Sequence, residues 1–341
     1  MRTVIAALLV FLLLFTTLLH AQNTPALTPV LNFLLSSKAY GAVGSYLPVR
    51  YPNAGLHDTY VVYYPQNGIT PDMPVVLFLE GGGKTPHIDD YRGIMAFMAS
   101  QGYFVIGAES GEAYDSDFAR RIFQGALDTA KAEHGLTLSK LAVMGHSQGG
   151  GQAFYVMHYF QDPQHGGYGS DASLVLSIDG WFAFGMNQED LAQLHGNVAF
   201  LQMHGNQGTG TDPRIHLTIW NLLHHATKTF LTLPHDDHYY ISGSFEELTQ
   251  NKYDILTLIG ALTYDTFHHS HEGYGSISHT YKSSYSAIYN ALQPEASYRE
   301  GDCQGVQYNA RDTMLKFNDI DYCAVDAYVL RRTNREADPI Q

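Results

Sequence analysis

The chain has 341 residues and a formal net charge of −14, with 19 lysines and arginines set against 33 aspartates and glutamates. No basic cluster interrupts this acidic balance, which removes the electrostatic case for binding nucleic acid or anionic lipid. One large core, with an added C-terminal segment, suits a chain of this length.

Residues 1–21 join Arg2 to a long apolar run and a small residue, Ala21, ahead of polar, proline-containing sequence. That is the pattern of a secretory signal peptide. An uncleaved anchor is the alternative, because the run approaches bilayer-spanning length. Ala21 favours cleavage, hence a secreted or periplasmic protein with no stable membrane span. From Gln22 to His57 the sequence reads as an entry segment without visible chemistry. Thr59–Tyr64 is β-rich and is followed by turn residues. Pro74–Leu79 is a continuous apolar run, as in a parallel strand buried on both faces, and it ends in Glu80-Gly81-Gly82-Gly83. A helical pattern over Tyr91–Ser100 stops at Gln101-Gly102. Tyr103–Ala108 is the next buried strand, and Phe118–His134 an amphipathic helix ended by Gly135.

Lys140–Gly150 then reads as strand, tight turn and helix around Gly145-His146-Ser147-Gln148-Gly149. In a G-x-S-x-G turn the flanking glycines keep Cβ atoms away from the adjoining strand and helix, and the serine is left exposed at the strand end. The rhythm continues with a helix at Gln152–Phe160, strands at Ser173–Ile178 and Asn197–Met203, a helix at about Pro213–His225, and a strand at Thr229–Leu233. Such alternation predicts an α/β fold with a mostly parallel sheet, helices on both faces and chemistry at the carboxyl ends of the strands.

A serine nucleophile needs a base oriented by an acid, in chain order serine, acid, histidine. His238 and His235 both follow the last strand; His238 is preferred, because a loop of some length must carry the imidazole back over the sheet. For the acid, Asp179 stands at a strand end with no helix to cap. Asp212 directly precedes Pro213, a helix-start signature that already explains it. His204-Gly205 opens the pattern H-G-x-x-D, but Gly208 occupies the aspartate position. The oxyanion hole requires two backbone donors: Gln148 N–H is one, and Gly82 N–H, with Gly83 next, is the other. Trp181, Phe182 and Phe184 read equally as pocket lining or as core.

At Pro74–Gly82, Ala99–Ile106, Leu141–Gly151 and Leu231–His238 the chain resembles the α/β-hydrolase superfamily. Within it, these segments look like the platelet-activating-factor acetylhydrolases and the cutinase-like, dienelactone-hydrolase-like polyester hydrolases. The resemblance implies an α/β-hydrolase fold over 22–264 and a serine esterase or lipase forming an acyl-enzyme on Ser147 without a cofactor. Its substrate would be a small-molecule, lipid or polyester ester. The acetylhydrolase likeness of Leu176–Phe182 implies Asp179 as the acid, whereas the cutinase-like likeness implies the later loop. Peptidase or acyltransferase chemistry on the same triad is the alternative, and a non-catalytic binding module the rival from another class. Glu80 departs from the resemblance, standing where many relatives carry histidine or a small residue.

The extension, 265–341, is expected to pack on this domain. It carries both cysteines, Cys303 and Cys323, and in an oxidising compartment a disulfide is expected, with two buried thiols as the alternative. His268, His269, His271 and His279 make a metal site conceivable, but such clusters are more often a solvated face and no metal is expected.

Overall fold

The computed structural model describes residues 60–66, 68–82, 87–111, 115–203, 211, 213–233, 238–244 and 252–270, with shorter pieces that include 48–51, 316–317 and 320–321. Residues 1–21, Cys303, Cys323 and the proposed extension apart from a few residues lie outside them.

The strands β1 (Pro48–Tyr51), β2 (Tyr60–Pro65), β3 (Val75–Leu79), β4 (Phe104–Ala108), β5 (Lys140–His146), β6 (Ala172–Ile178), β7 (His195–Met203) and β8 (His225–Leu233) form one eight-stranded sheet. Its order is β1-β2-β4-β3-β5-β6-β7-β8. β2 runs antiparallel to both β1 and β4, and from β4 to β8 all neighbours are parallel. The protein is therefore an α/β protein with a mixed, mostly parallel sheet.

The continuous apolar runs follow from burial on both faces. Along β3, Val75, Leu77 and Leu79 enter one core, and Val76 and Phe78 the other. The first core packs under α2 (Ser116–His134), α3 (Gln148–Gln161), α4 (Gln188–Gln193) and α5 (Pro213–Leu222), through residues such as Phe123, Phe154, Leu191 and Ile219. The second is covered by α1 (Arg92–Ser100) and α6 (Tyr253–His268), through Phe97, Met98, Ile255 and Ile259. Local signals set the boundaries of α2. Asp115 caps its N-terminus by accepting the Phe118 N–H at 3.0 Å, a contact typically worth about 1 kcal/mol. Gly135 ends it at φ 68°, where a Cβ would be strained.

Four features depart from the sequence reading. The helix expected to reach His225 ends at Leu222, and β8 begins at His225 instead of Thr229. Nine residue pairs align β8 with β7 from His195↔His225 to Met203↔Leu233, and this pairing extends the strand through polar residues that carry no apolar signal. Helix α4 was not expected; it has six residues and is started by a capping box between Asn187 and Asp190. β1 lies inside the stretch read as an entry segment. Helix α6 runs through residues 264 and 265, and Phe267 is buried with Phe97 in the second core.

Candidate active site

β5 delivers the chain to Ser147, which stands before the first residue of α3 with φ 53° and ψ −121°. For a residue with a Cβ this backbone is strained by about 1–3 kcal/mol, so the surroundings must hold it. They do so on both sides of the residue. The Ser147 N–H donates to the Ile178 carbonyl at 3.0 Å, and the Ser147 carbonyl accepts the Trp181 N–H at 3.0 Å and the Gly151 N–H at 3.1 Å. The flanking glycines are dictated by contact. A Cβ on Gly145 would fall 2.5 Å from the Gly149 carbonyl, and one on Gly149 would fall 2.2 Å from the Glu80 carbonyl oxygen.

Asp179, at the end of the neighbouring β6, also has a positive φ, 42°, and is fully buried. Its Oδ2 is hydrogen-bonded to the His238 Nδ1. Oδ1 accepts from Gln202 Nε2 at 2.6 Å, from the Thr211 hydroxyl at 2.9 Å and from the Met203 N–H at 3.2 Å, while Oδ2 accepts from the Thr211 N–H at 3.2 Å. A carboxylate takes only acceptor roles, and here both oxygens are supplied with donors. Sequence reasoning missed Gln202 and Thr211. Gln202 had a signal, being an amide inside the apolar run Asn197–Met203, and it is completely buried.

The turn after Asp179 is held from below. His216, buried on α5, accepts the Gly180 N–H on Nε2 at 3.0 Å and lies 3.1 Å from the Ser177 hydroxyl. Burial pushes its imidazole down to about 3, so it stays neutral as an acceptor.

The proposed oxyanion donors are neighbours. A Cβ on Gly82 would lie 1.8 Å from Gln148 Oε1 and 3.0 Å from Gln148 Cβ, so the two residues pack directly together. Gln148 Nε2 in turn donates to the Ser110 hydroxyl at 3.1 Å and the Gly111 carbonyl at 2.9 Å, fixing the loop after β4. Glu80 is buried immediately before these glycines. Burial, with the charges of Glu109 and Asp90 adding, raises its carboxyl to about 8, while N–H donors from Ser110 and Ile88 oppose the shift. A carboxyl raised on folding binds its proton more tightly in the native state than in the unfolded chain. Stability is then lost as pH rises from the ordinary carboxylate range through about 8. Glu80→Gln is expected to melt higher than wild type at pH 8, by ~5 °C, and alike near pH 4. Thermal melts across that range check it; equal melting at pH 8 would reject the buried acid.

Phe182 and Phe184 belong to the first core, and only Trp181 of the three aromatic residues after Asp179 is partly exposed. Tyr239 is exposed beside His238, edge-on to its ring at 5.1 Å. Asp212, Gly83, His204, Gly205, Gly208 and His235 lie outside the described residues, as do His271 and His279. His268 donates to the Tyr264 carbonyl, and His269 lies 3.3 Å from Asp171. Among the described residues no group of three His, Cys, Asp or Glu could hold a metal, and no helix is long and apolar enough to cross a membrane.

The fold and site together define an α/β protein with a serine, an aspartate and a histidine converging at the carboxyl ends of its parallel strands. No family model matches the chain, and a search of curated proteins likewise finds no match.

Proposed function

We propose that the chain is an exported serine hydrolase of the α/β-hydrolase type that cleaves carboxylic esters through an acyl-enzyme on Ser147. The observation that carries this reading is the connection of three residues distant in sequence. Ser147 is bonded through its N–H to the residue preceding Asp179, and Asp179 is bonded to His238. The strand order, with β2 alone antiparallel to its partner in the inner sheet, agrees with the resemblance, and residues 1–21 support export.

With Nδ1 engaged by Asp179, the imidazole of His238 has Nε2 for proton transfer. His238 Nε2 takes the proton from Ser147 Oγ as the oxygen attacks the ester carbonyl carbon. The carbonyl oxygen gains the electron pair and is met by the Gln148 and Gly82 N–H groups at the N-terminal end of α3. Collapse of the tetrahedral adduct breaks the bond to the alcohol oxygen, which receives the proton from His238. Water then repeats the attack on acyl-Ser147, giving up its proton to His238, and the carboxylic acid leaves with Ser147 Oγ reprotonated. Asp179 keeps the imidazole in the tautomer that accepts at Nε2 and stabilises the imidazolium when it forms.

A fluorophosphonate probe and p-nitrophenyl esters of increasing chain length test this on the purified mature protein. Labelling and turnover are expected in wild type, and Ser147→Ala is expected to lose both together. Folded wild-type protein that neither labels nor turns over any ester would reject the hydrolase reading.

A further inference from the structure

The carboxyl end of the sheet contains a second set of polar side chains that the reaction above does not use. Tyr91, which closes a 3-10 turn at Ile88–Tyr91, and His146, the last residue of β5, are both completely buried, yet every polar atom of the two side chains is partnered. The Gly81 N–H donates to the Tyr91 hydroxyl at 3.1 Å. That hydroxyl lies 2.6 Å from His146 Nδ1, and His146 Nε2 lies 2.7 Å from the backbone carbonyl of His238.

The proton positions follow from the partners. A carbonyl oxygen can only accept, so His146 carries its proton on Nε2. Burial, with His238 adding, holds His146 well below the ordinary imidazole range, and burial likewise raises the Tyr91 phenol. Nδ1 of the neutral ring therefore accepts from the Tyr91 hydroxyl, and that oxygen accepts from Gly81. One directed chain thus runs from the Gly81 N–H through Tyr91 and His146 to the His238 carbonyl.

We infer that Tyr91 and His146 are positioning residues that tie the oxyanion loop, the nucleophile turn and the loop bearing the base into one register. The inference rests on the hydrolase reading of the same site. Each end of the chain of bonds touches a different part of the machinery. At one end it fixes the peptide next to Gly82, the proposed oxyanion donor. At the other it fixes the backbone of His238, whose side chain must meet both Asp179 and Ser147. Contact supports this at the middle, since a Cβ on Gly81 would lie 2.9 Å from the Tyr91 hydroxyl, 3.0 Å from His146 Nδ1 and 3.3 Å from Ser147 Cβ. The charge state suits the task as well. The His146 and His238 rings are 4.4 Å apart, and a neutral His146 does not repel the imidazolium that His238 becomes during each proton transfer.

Tyr91→Phe removes one oxygen atom and leaves the ring in place. It is expected to lower kcat on p-nitrophenyl acetate roughly 10- to 100-fold with KM changed less than about twofold, since orientation and not binding is lost. His146→Gln can return a donor to the His238 carbonyl, and His146→Phe cannot, so glutamine is expected to retain more kcat than phenylalanine. A purely structural role would give losses that follow the melting temperatures and no such rescue. Wild type and Ser147→Ala run beside them. If wild type turns over in a Ser147-dependent manner and folded Tyr91→Phe keeps kcat within about twofold, the positioning role is overturned alone. If wild type shows no Ser147-dependent turnover, the hydrolase reading falls and takes this one with it. Should the His146 variants not fold, 15N spectra of the wild-type imidazoles decide the point: a neutral His146 with its proton on Nε2 is expected, and the opposite tautomer would overturn the relay.

Discussion

Asp179→Asn is expected to lower kcat on an ester roughly 10,000-fold in a protein that still folds. The size of the effect comes from the hydrogen-bond inventory around the carboxylate. Gln202 Nε2, the Thr211 hydroxyl and the Met203 N–H all donate to Oδ1, so the substituted amide keeps its oxygen there and turns its NH2 toward His238. His238 must then accept on Nδ1 and carry its proton on Nε2, the tautomer that cannot receive a proton from Ser147. Gln202, the Thr211 hydroxyl and the Met203 N–H thus keep their acceptor, and the one mismatch left, the Thr211 N–H that donates to Oδ2 in the wild type, costs about 1–3 kcal/mol of stability. Steady-state kinetics together with a thermal melt separate the two effects. A folded variant that keeps more than about a tenth of wild-type kcat would remove Asp179 as the acid and turn attention to Asp212→Asn.

Gly149→Ala is expected to destabilise the fold by more than about 3 kcal/mol and to abolish ester turnover. The added methyl carbon would meet the Glu80 carbonyl oxygen at 2.2 Å, and the Leu79 Cβ and carbonyl oxygen at 2.7 Å each. Two of these three atoms are backbone, and the third is anchored to a buried strand, so none can swing aside. Relief requires α3 to move away from the end of β3, which separates Gln148 from Gly82. Gly125→Ala provides the matched control. Gly125 lies within α2, and a Cβ there would have no atom within 4 Å, so the substitution should add about 0.5–1 kcal/mol through helix propensity. Denaturant melts of the pair are expected to move in opposite directions. A Gly149→Ala variant as stable as wild type would contradict the close approach of helix and strand.

The inner strands are readable in the sequence because β3 to β7 are buried on two faces and therefore appear as short, mainly apolar runs. The nucleophile turn was readable because its requirements are local, with glycines two positions either side of Ser147. Legibility ended where partners are remote. Tyr91 lies 55 residues from His146, and the His146 to His238 contact spans 92, so nothing nearby in the chain announces either bond. His146 occupies the variable position of the motif, and its one sequence signal is that a histidine closes the strand that holds the apolar run Leu141–Met144. Thr211 carried no pattern of its own. The choice between Asp179 and Asp212 could not be made from residue type, because both are aspartates near strand ends. Within the described residues it is Asp179 that meets His238. The beginning of β8 was lost for a different reason, since His225, Thr227 and Lys228 extend a strand by pairing with β7 and not by hydrophobic periodicity.

Both backbone polar groups of Ser147 are spent on the segment that holds Asp179: its N–H on Ile178 and its carbonyl on Trp181. The proposed nucleophile and acid are consequently joined through the main chain across two adjacent strands, β5 and β6. Of the three proposed catalytic residues, His238 alone stands outside this pair of strand ends. On the proposed mechanism, adjustment during a turnover would fall on the His238 imidazole, against a pair tied to each other through their backbones.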